Sequence, residues 1–537
     1  MVEKKWNFLW VSFEDCSPIH GCFGHNVAKT PNVDSFAEEA CIYPNAFACT
    51  GVCAPSRAAI ITGMYPTSIG AQHMRTTHTD PHLPELPTPY NALPPAQVKC
   101  FTEYLRASGY YCSNNSKTDY QFEVPITAWD DCSNTGHWRN RYSKDQPFFA
   151  VFNPTNTHES GSWESVDIEL RVDPLEVPVP PLFPDTPRVR ESIAKTYTQM
   201  SIADDRFGEL VDQLKEDGLY ESTIIIHWSD HGPWPRGKRW VYDTGIKVPF
   251  IVRIPGELDA GTQDHRLIST VDLGPTLLSL AGLPVPIHME GKAFLGKYQT
   301  PEREFTYHSR DRYDTCYDQV RAVRSKRYKF ITNSFPDLPR AVWLPFRNKH
   351  PIMRELLDLE AKGDLPENQR SLFETPRPVA EFYDLEQDPW EMNNIIDQPD
   401  HQSLIEEHKE ALKGWQKVSD PYRDIDESTM VNNWYPEGKV AKTANPLFFV
   451  FGNGNYCEKP LTGIHRIEGP LMGQIVCSTE GASLQFRLSD LKNKSNSHWS
   501  IYKGFIPLER GIYKIEIQAQ RIGFEASECV ELNLEIY

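Results

Sequence analysis

Thr223-Ile224-Ile225-Ile226-His227-Trp228, followed by Ser229-Asp230-His231-Gly232, is a short apolar run that ends in polar and charged residues. Such a run, rich in β-branched residues, predicts a strand buried on both faces of a parallel sheet. Two other segments repeat the pattern. Asn7-Phe8-Leu9-Trp10-Val11-Ser12-Phe13 leads into Glu14-Asp15, and Phe148-Phe149-Ala150-Val151-Phe152 leads through Asn153-Pro154-Thr155-Asn156-Thr157 to His158. Helical patterns separate them, the longest running from about Val189 to Asp217. Strands alternating with helices predict an α/β fold, in which ligands gather beyond the carboxyl ends of the strands. One Asp-His pair after a strand is commonly a turn or a helix cap. Three strand ends that each deliver acids or histidines to one edge point instead to a metal or catalytic centre.

The chain has 537 residues, too many for a single hydrophobic core, so two or three domains are expected. Hydrophobic residues make up 39% and charged residues 24%, ordinary values for a globular protein. No stretch approaches the apolar length of a membrane span. The formal charge of −18 argues against nucleic acid and anionic membranes as partners. A long polyanion is repelled by that field, whereas a small anion held in a local basic site is compatible with it. The start, Met1-Val2-Glu3-Lys4-Lys5-Trp6, runs directly into a strand without an apolar signal region. This predicts a cytoplasmic protein if the chain is complete, and a periplasmic one if a leader has been removed. Twelve cysteines without regular spacing read as reduced thiols rather than a disulfide framework.

Cys53-Ala54-Pro55-Ser56-Arg57 and the following Ala58-Ala59-Ile60-Ile61-Thr62-Gly63 read as a helix start. Pro55 suits the first helical position, where its missing N–H costs nothing. Cys53 is then placed at a helix N-terminus, where free N–H groups and the dipole favour negative charge, and Arg57 adds a permanent cation. On residue type alone Cys53 reads as a buried core residue. The pattern C-x-P-S-R-x4-T-G, however, resembles the modification signature of type I sulfatases. That resemblance implies an alkaline-phosphatase-like α/β fold, with a central mixed sheet flanked by helices. It also implies that Cys53 is the precursor of formylglycine, installed by a maturation enzyme, and that formylglycine is the nucleophile.

The resemblance extends to the strand ends. Glu14, Asp15, Asp230 and His231, with Cys53, match the family's metal ligands, which implies one Ca²⁺. Carboxylate oxygens are the ligands a hard cation prefers, and no H-x-x-x-H or C-x-x-C spacing joined to these strand ends favours zinc. Glu14 stands where many relatives carry Asp. Gly237-Lys238-Arg239-Trp240-Val241-Tyr242-Asp243-Thr244-Gly245-Ile246-Lys247-Val248-Pro249 resembles the segment G-K-x4-[ED]-x-G-x-x-x-P, which implies that Lys238 holds the sulfate. Asn114-Asn115-Ser116-Lys117-Thr118-Asp119-Tyr120 resembles the G-K-x-H segment, with Lys117 on its lysine and Asp119 where many sulfatases have a histidine. By the same resemblance His158 protonates the leaving group, work that suits imidazole, and Asp230 or the metal assists the nucleophile. Arg57, Lys117, Lys238, Asp119 and Asp230 complete the expected catalytic set. His73 and Arg75, in Gly70-Ala71-Gln72-His73-Met74-Arg75, and Arg239 are expected to bind the sugar. The sequence around His158 and His73 resembles a bacterial branch related to heparan N-sulfatases.

Two further regions complete the expected organisation. Arg321-Ala322-Val323-Arg324-Ser325-Lys326-Arg327-Tyr328-Lys329-Phe330 alternates like a half-buried strand. With Glu381-Phe382-Tyr383-Asp384 it resembles the smaller C-terminal sulfatase subdomain. From about residue 440, Leu484, Phe486 and Leu488, and then Tyr513, Ile515, Ile517 and Ala519, alternate with polar residues. This period predicts a small antiparallel β-sandwich, which resembles the C-terminal domain of chitobiase-type enzymes and is expected to brace the catalytic domain. The expected domains are 1–320, 321–435 and 440–537. The expected activity is removal of sulfate from a sulfated carbohydrate, exo-acting on an oligosaccharide of glycosaminoglycan or algal galactan (carrageenan) type. A phosphonate or phosphate monoester hydrolase, and a catalytically silent saccharide-binding protein with an unmodified Cys53, are the alternatives.

Overall fold

The computed structural model describes residues 5–258, 260–492 and 498–537. Met1 to Lys4, on which the expectation of an absent leader rests, lie outside them. Two compact units are present. One comprises Met1–Thr76, Pro81–Leu83 and Val151–Asp424, and the other Thr77–Asp80, Pro84–Ala150 and Ile425–Tyr537.

The first unit is built on the predicted strands. β1 (Asn7–Phe13) is buried along its whole length and pairs in parallel with β3 (Thr223–Ser229), Asn7 opposite Thr223 and Phe13 opposite Ser229. That register sets Glu14-Asp15 beside Asp230-His231. Between them in sequence come α1 (Cys53–Thr62), β2 (Phe148–Phe152), along which the chain passes from the second unit into the first, and α2 (Pro187–Glu216). β4 (Phe250–Arg253) runs antiparallel to β3, which makes the sheet mixed, and the short strand Cys41–Ile42 continues it antiparallel to β4. α2 begins at Pro187 behind Thr186, whose hydroxyl accepts from the Val189 N–H. One apolar stripe of α2 carries Val189, Ile193, Phe207 and Leu210 into the core.

α1 is buried on every side, and its polar residues Ser56 and Arg57 are accommodated there by partners at Asp230 and Asn153. It starts at Cys53 itself, after extended Val52, so Pro55 is the third helical residue rather than the first. The cost is equally small there, because none of the first four N–H groups has a partner within the helix. Gly63 ends the helix with φ +67° and donates to Ala59 O at 2.8 Å, the left-handed cap that glycine adopts without strain.

A four-stranded antiparallel sheet (Thr306–Arg310, Val320–Arg324, Tyr328–Asn333, Ala380–Asp384) lies in the same unit. The expectation of a half-buried strand is corrected here: Val320–Arg324 is buried throughout. Its arginines are tolerated inside because each meets carboxylates. Arg321 pairs with Asp311 and Asp420 at 3.0 and 2.7 Å, and Arg324 with Asp243 at 2.9 Å.

In the second unit, residues from about 447 form the expected sandwich, with sheets of four and five strands around a core that includes Phe448, Ile475, Ile515 and Leu534. It is not wholly antiparallel, because Gly463–Ile467 pairs in parallel with Val530–Ile536. The sandwich packs on the segment 84–150 of its own unit. Lys99 Nζ donates to Ser483 Oγ at 2.7 Å, the Ile126 N–H to Gln520 Oε1 at 2.8 Å, and the Tyr142 and His498 rings stack at 3.9 Å. All twelve cysteines are free. Among the described residues no helix is long and apolar enough to cross a membrane.

Candidate active site

Cys53, at the first turn of α1, faces the carboxyl ends of β1 and β3. Its Sγ lies 3.1 Å from His231 Nε2 and 3.9 Å from Asp15 Oδ1. Ligand atoms of Asp15, Cys53 and His231 form one cluster within 4.8 Å, and those of Glu14, Cys53 and Asp230 form another. All five residues are buried. Asp15, held at φ +47°, is the hub. Oδ1 lies 3.2 Å from His231 Nε2, while Oδ2 accepts from Lys238 Nζ and from the Glu159 N–H, both at 2.6 Å. Burial opposes ionisation of Asp15, but Lys238, His158 and His231 outweigh it and hold the carboxyl below its usual range.

Arg57 projects from the next turn of α1 onto the metal-type residues. Its Nε donates to Asp230 Oδ2 at 3.0 Å and Nη1 to Asn153 Oδ1 at 3.0 Å, and Nη2 lies 3.5 Å from Glu14 Oε1. The guanidinium thereby fixes two of the three carboxylates. Ser56 Oγ, donating to Asp230 O at 2.8 Å, ties the same helix to the end of β3.

Lys238 and Arg239 sit on a loop wound around Trp234, whose carbonyl accepts from the N–H groups of Gly237 and Lys238 at 2.7 and 2.6 Å. The Arg239 N–H donates to Gly51 O at 2.5 Å, two residues before Cys53. The spacing of this motif now has a physical reason. Gly237 and Gly245 cross so closely that a Cβ on either would overlap the other's stretch of backbone. Asp243 between them is clamped by Arg324 at 2.9 Å and Lys329 at 2.5 Å.

His158, at the start of a short 3₁₀ turn after β2, is more open than the buried residues around Cys53, its side chain 22% exposed. Nδ1 lies 2.8 Å from Ser160 Oγ, and Nε2 lies 3.3 Å from Lys238 Nζ and 4.0 Å from Asp15 Oδ2. Burial and Lys238 disfavour the imidazolium, yet Asp15 and Cys53 prevail and raise the His158 pKa above its ordinary value. Burial likewise works against His231, but Asp230, Cys53 and Asp15 raise it to about 9.

Glu159, directly after His158, pairs with Lys238 at 3.0 Å and with Arg239 at 2.7 Å. It was legible only as the neighbour of a histidine. Asp314 and Phe346 had no signal in sequence. Asp314 binds Arg75 and lies 3.8 Å from Arg239, and both guanidinium groups stand over the Phe346 ring, at 4.9 and 6.0 Å. His73 is buried beside them and accepts from the Arg312 N–H at 3.3 Å. Lys117 and Asp119 belong to the second unit, where Lys117 Nζ lies 4.0 Å from Asp119 Oδ2 and Asp119 has φ +55°. All the other expected site residues gather in the first unit.

Four buried carboxylates (Glu14, Asp15, Asp230, Glu159) face three permanent cations (Arg57, Lys238, Arg239) and two histidines. Arg57 and Arg239 bind the outer edges of this set, which leaves oxygens of Glu14, Asp15 and Asp230 converging near Cys53. Carboxylate oxygens converging on one buried point beside Cys53 are the donor set a hard divalent cation takes.

Comparisons with known proteins agree with this chemistry. The family model described as Sulfatase matches residues 6–283, more than half of the chain, and that of the N-sulphoglucosamine sulphohydrolase C-terminal region matches residues 230–338. An ulvan-active sulfatase of Formosa agariphila is 39% identical over 99% of this chain and 92% of its own. Human N-sulphoglucosamine sulphohydrolase is 25% identical over 78% of this chain and 91% of its own. A solved 2-O GAG sulfatase superposes with TM-score 0.58 at 19% identity, covering 79% of this chain and 94% of the other.

Proposed function

The chain belongs to the sulfatase family and is a sulfuric ester hydrolase, and from that premise we propose that it releases sulfate from a sulfated algal oligosaccharide, acting at a terminal residue. The observation that carries the reading is the convergence of Cys53, Asp15, Asp230, His231, Lys238 and His158 at one strand edge. The 39% identical ulvan-active relative supports a sulfated algal substrate, and the charge of −18 favours short chains over long polyanions.

Glu14, Asp15, Asp230 and His231 would hold one Ca²⁺, and residue 53 would be formylglycine. Together these groups would supply a polarised sulfuryl oxygen and an oxygen nucleophile. The protein's own side chains do the rest. Arg57 is a positioning residue, because its donors are taken up by Asp230, Glu14 and Asn153. Lys238, held between Asp15 and Glu159, is fully cationic and places its charge where the sulfate oxygens develop theirs. His158 Nε2 stands beside Lys238 and Asp15, and Asp15 favours its protonated form, which suits it to deliver the proton to the departing sugar oxygen. For Lys117 and Asp119 it is the resemblance of residues 114–120 to the G-K-x-H segment that supports a sulfate-binding ammonium and, unless that role has moved elsewhere, a carboxylate base. His73, Arg75 and Arg239 bind the sugar. We read the sandwich as a brace for the segment 84–150, which carries Lys117 and Asp119, within the second unit.

The test is sulfate release from ulvan, carrageenan and glycosaminoglycan oligosaccharides, measured beside matched aryl sulfate and aryl phosphonate esters. A higher kcat/KM for the phosphonate than for the sulfate ester overturns the assignment of leaving anion. Failure on all algal oligosaccharides with retained aryl sulfatase activity overturns the substrate assignment alone.

A further inference from the structure

A chain of ring contacts joins His158 to the edge of a cleft that none of these roles uses. The His158 ring stands 6.0 Å from Phe346, Phe346 stands 4.9 Å from Trp163, and Lys349 Nζ lies 5.3 Å from the Trp163 ring. Beyond them is a cleft of about 520 Å³ lined by Trp343, Asn348, Lys349, Arg354 and Leu357, among others. Its volume falls within the range of small-molecule sites. Trp343 is 69% exposed, an unusual position for so large an apolar ring. Arg354 and Asp358 on the rim are already paired, with Glu164 at 2.7 Å and Arg188 at 2.8 Å. Lys349 is exposed and has no carboxylate partner among the described residues.

We propose that this cleft is a second saccharide subsite, which takes an anionic sugar residue on the leaving-group side of the sulfated one. An exposed indole offers a face for the C–H surface of a pyranose, and the unneutralised ammonium of Lys349 selects a carboxylate or a sulfate over a neutral sugar. The position follows from the chemistry. The group that departs from sulfate leaves past His158, so the remainder of the saccharide extends along Phe346 and Trp163 to the cleft. This inference rests on the oligosaccharide reading of the active site.

Trp343→Ala and Lys349→Ala should each lower kcat/KM about tenfold on ulvan oligosaccharides, through KM, as expected for loss of one stacking or charge-assisted contact. On 4-nitrophenyl sulfate, which cannot reach the cleft, both variants should stay within about twofold of wild type, less than the loss of one such contact. Carboxyl-reduced oligosaccharides identify the anion. Wild type falls to the Lys349→Ala level if it is a uronate, and keeps its advantage if it is a second sulfate. Unchanged oligosaccharide kinetics in both variants, or an equal loss on 4-nitrophenyl sulfate, overturns the proposal. A wild-type enzyme inactive on every oligosaccharide but active on the aryl ester refutes the oligosaccharide reading instead.

Discussion

Lys238 Nζ lies 3.3 Å from His158 Nε2, and both groups reach Asp15 Oδ2, at 2.6 and 4.0 Å. One buried carboxylate thus holds a permanent cation and a proton donor on the same side of Cys53. An anionic substrate that reaches this pair meets a fixed charge and an acidic proton together.

The proton-donor role of His158 carries a leaving-group signature. His158→Asn should lower kcat by about 10²–10⁴ on saccharide sulfates, whose alkoxide leaves poorly, the usual range for loss of a general acid. The loss on 4-nitrophenyl sulfate should be far smaller, because nitrophenolate departs without a proton. Equal losses on both substrates would rule out the acid role.

The converging carboxylates of Glu14, Asp15 and Asp230 predict a stabilising cation. Dialysis against a calcium chelator should abolish activity and lower Tm, and Ca²⁺ at about 100 times Kd should restore about 3 kcal/mol. Glu14→Gln should weaken that restoration. Recovery with Zn²⁺ alone, and none with Ca²⁺, contradicts the assignment. Lys238→Met should itself destabilise, by less than the ~3–5 kcal/mol of a fully stranded buried charge, since Asp15 keeps only its histidines and Glu159 only Arg239; a Tm equal to that of wild type sinks that account of the lysine.

His308 predicts the acid limb of stability. It is fully buried between Ala48 O, 2.7 Å from Nδ1, and Thr306 Oγ1, 2.9 Å from Nε2. Burial, reinforced by Lys329, lowers its pKa to about 3. The folded value therefore lies below the unfolded one near 6.5, so the stabilisation is complete above pH ~6.5 and is lost as pH falls toward 3. His308→Gln should flatten the fall in urea-derived stability between pH 6.5 and 4, a contribution on the order of a few kcal/mol. An unchanged slope counts against the buried neutral imidazole.

The brace within the second unit is tested at Gly481, which has φ +75° and whose added Cβ would strike the Ala96 carbonyl. Gly481→Val should lower Tm and loosen the segment that carries Lys117, seen as faster amide exchange in residues 96–120. Unchanged exchange there would mean that the sandwich supports nothing beyond itself.

The strand ends and the helix start were legible because local pattern sets them. β1 and β3 are continuous apolar runs, and α1 follows from Cys53-Ala54-Pro55 and closes at Gly63. The spacing from Gly237 to Gly245 was legible as a motif, but its cause, two backbones in contact, is purely tertiary. Glu159, Asp314 and Phe346 were missed because their partners lie far away in sequence. Asp314 meets Arg75 from 239 positions off, and no local rule reaches that distance. Arg321 and Arg324 misled for the same reason. Their alternation with Val323 mimics a half-exposed strand, and only Asp311, Asp420 and Asp243, delivered by other elements, allow them inside.

The most direct measurement compares sulfate release by wild type and Cys53→Ala, both expressed with a formylglycine-forming enzyme, while mass spectrometry reads the residue-53 peptide of the wild type. The account predicts an aldehyde at position 53 in wild type and activity at background in the variant, because the groups around Cys53 converge on that one side chain. Full sulfatase activity in Cys53→Ala would contradict it.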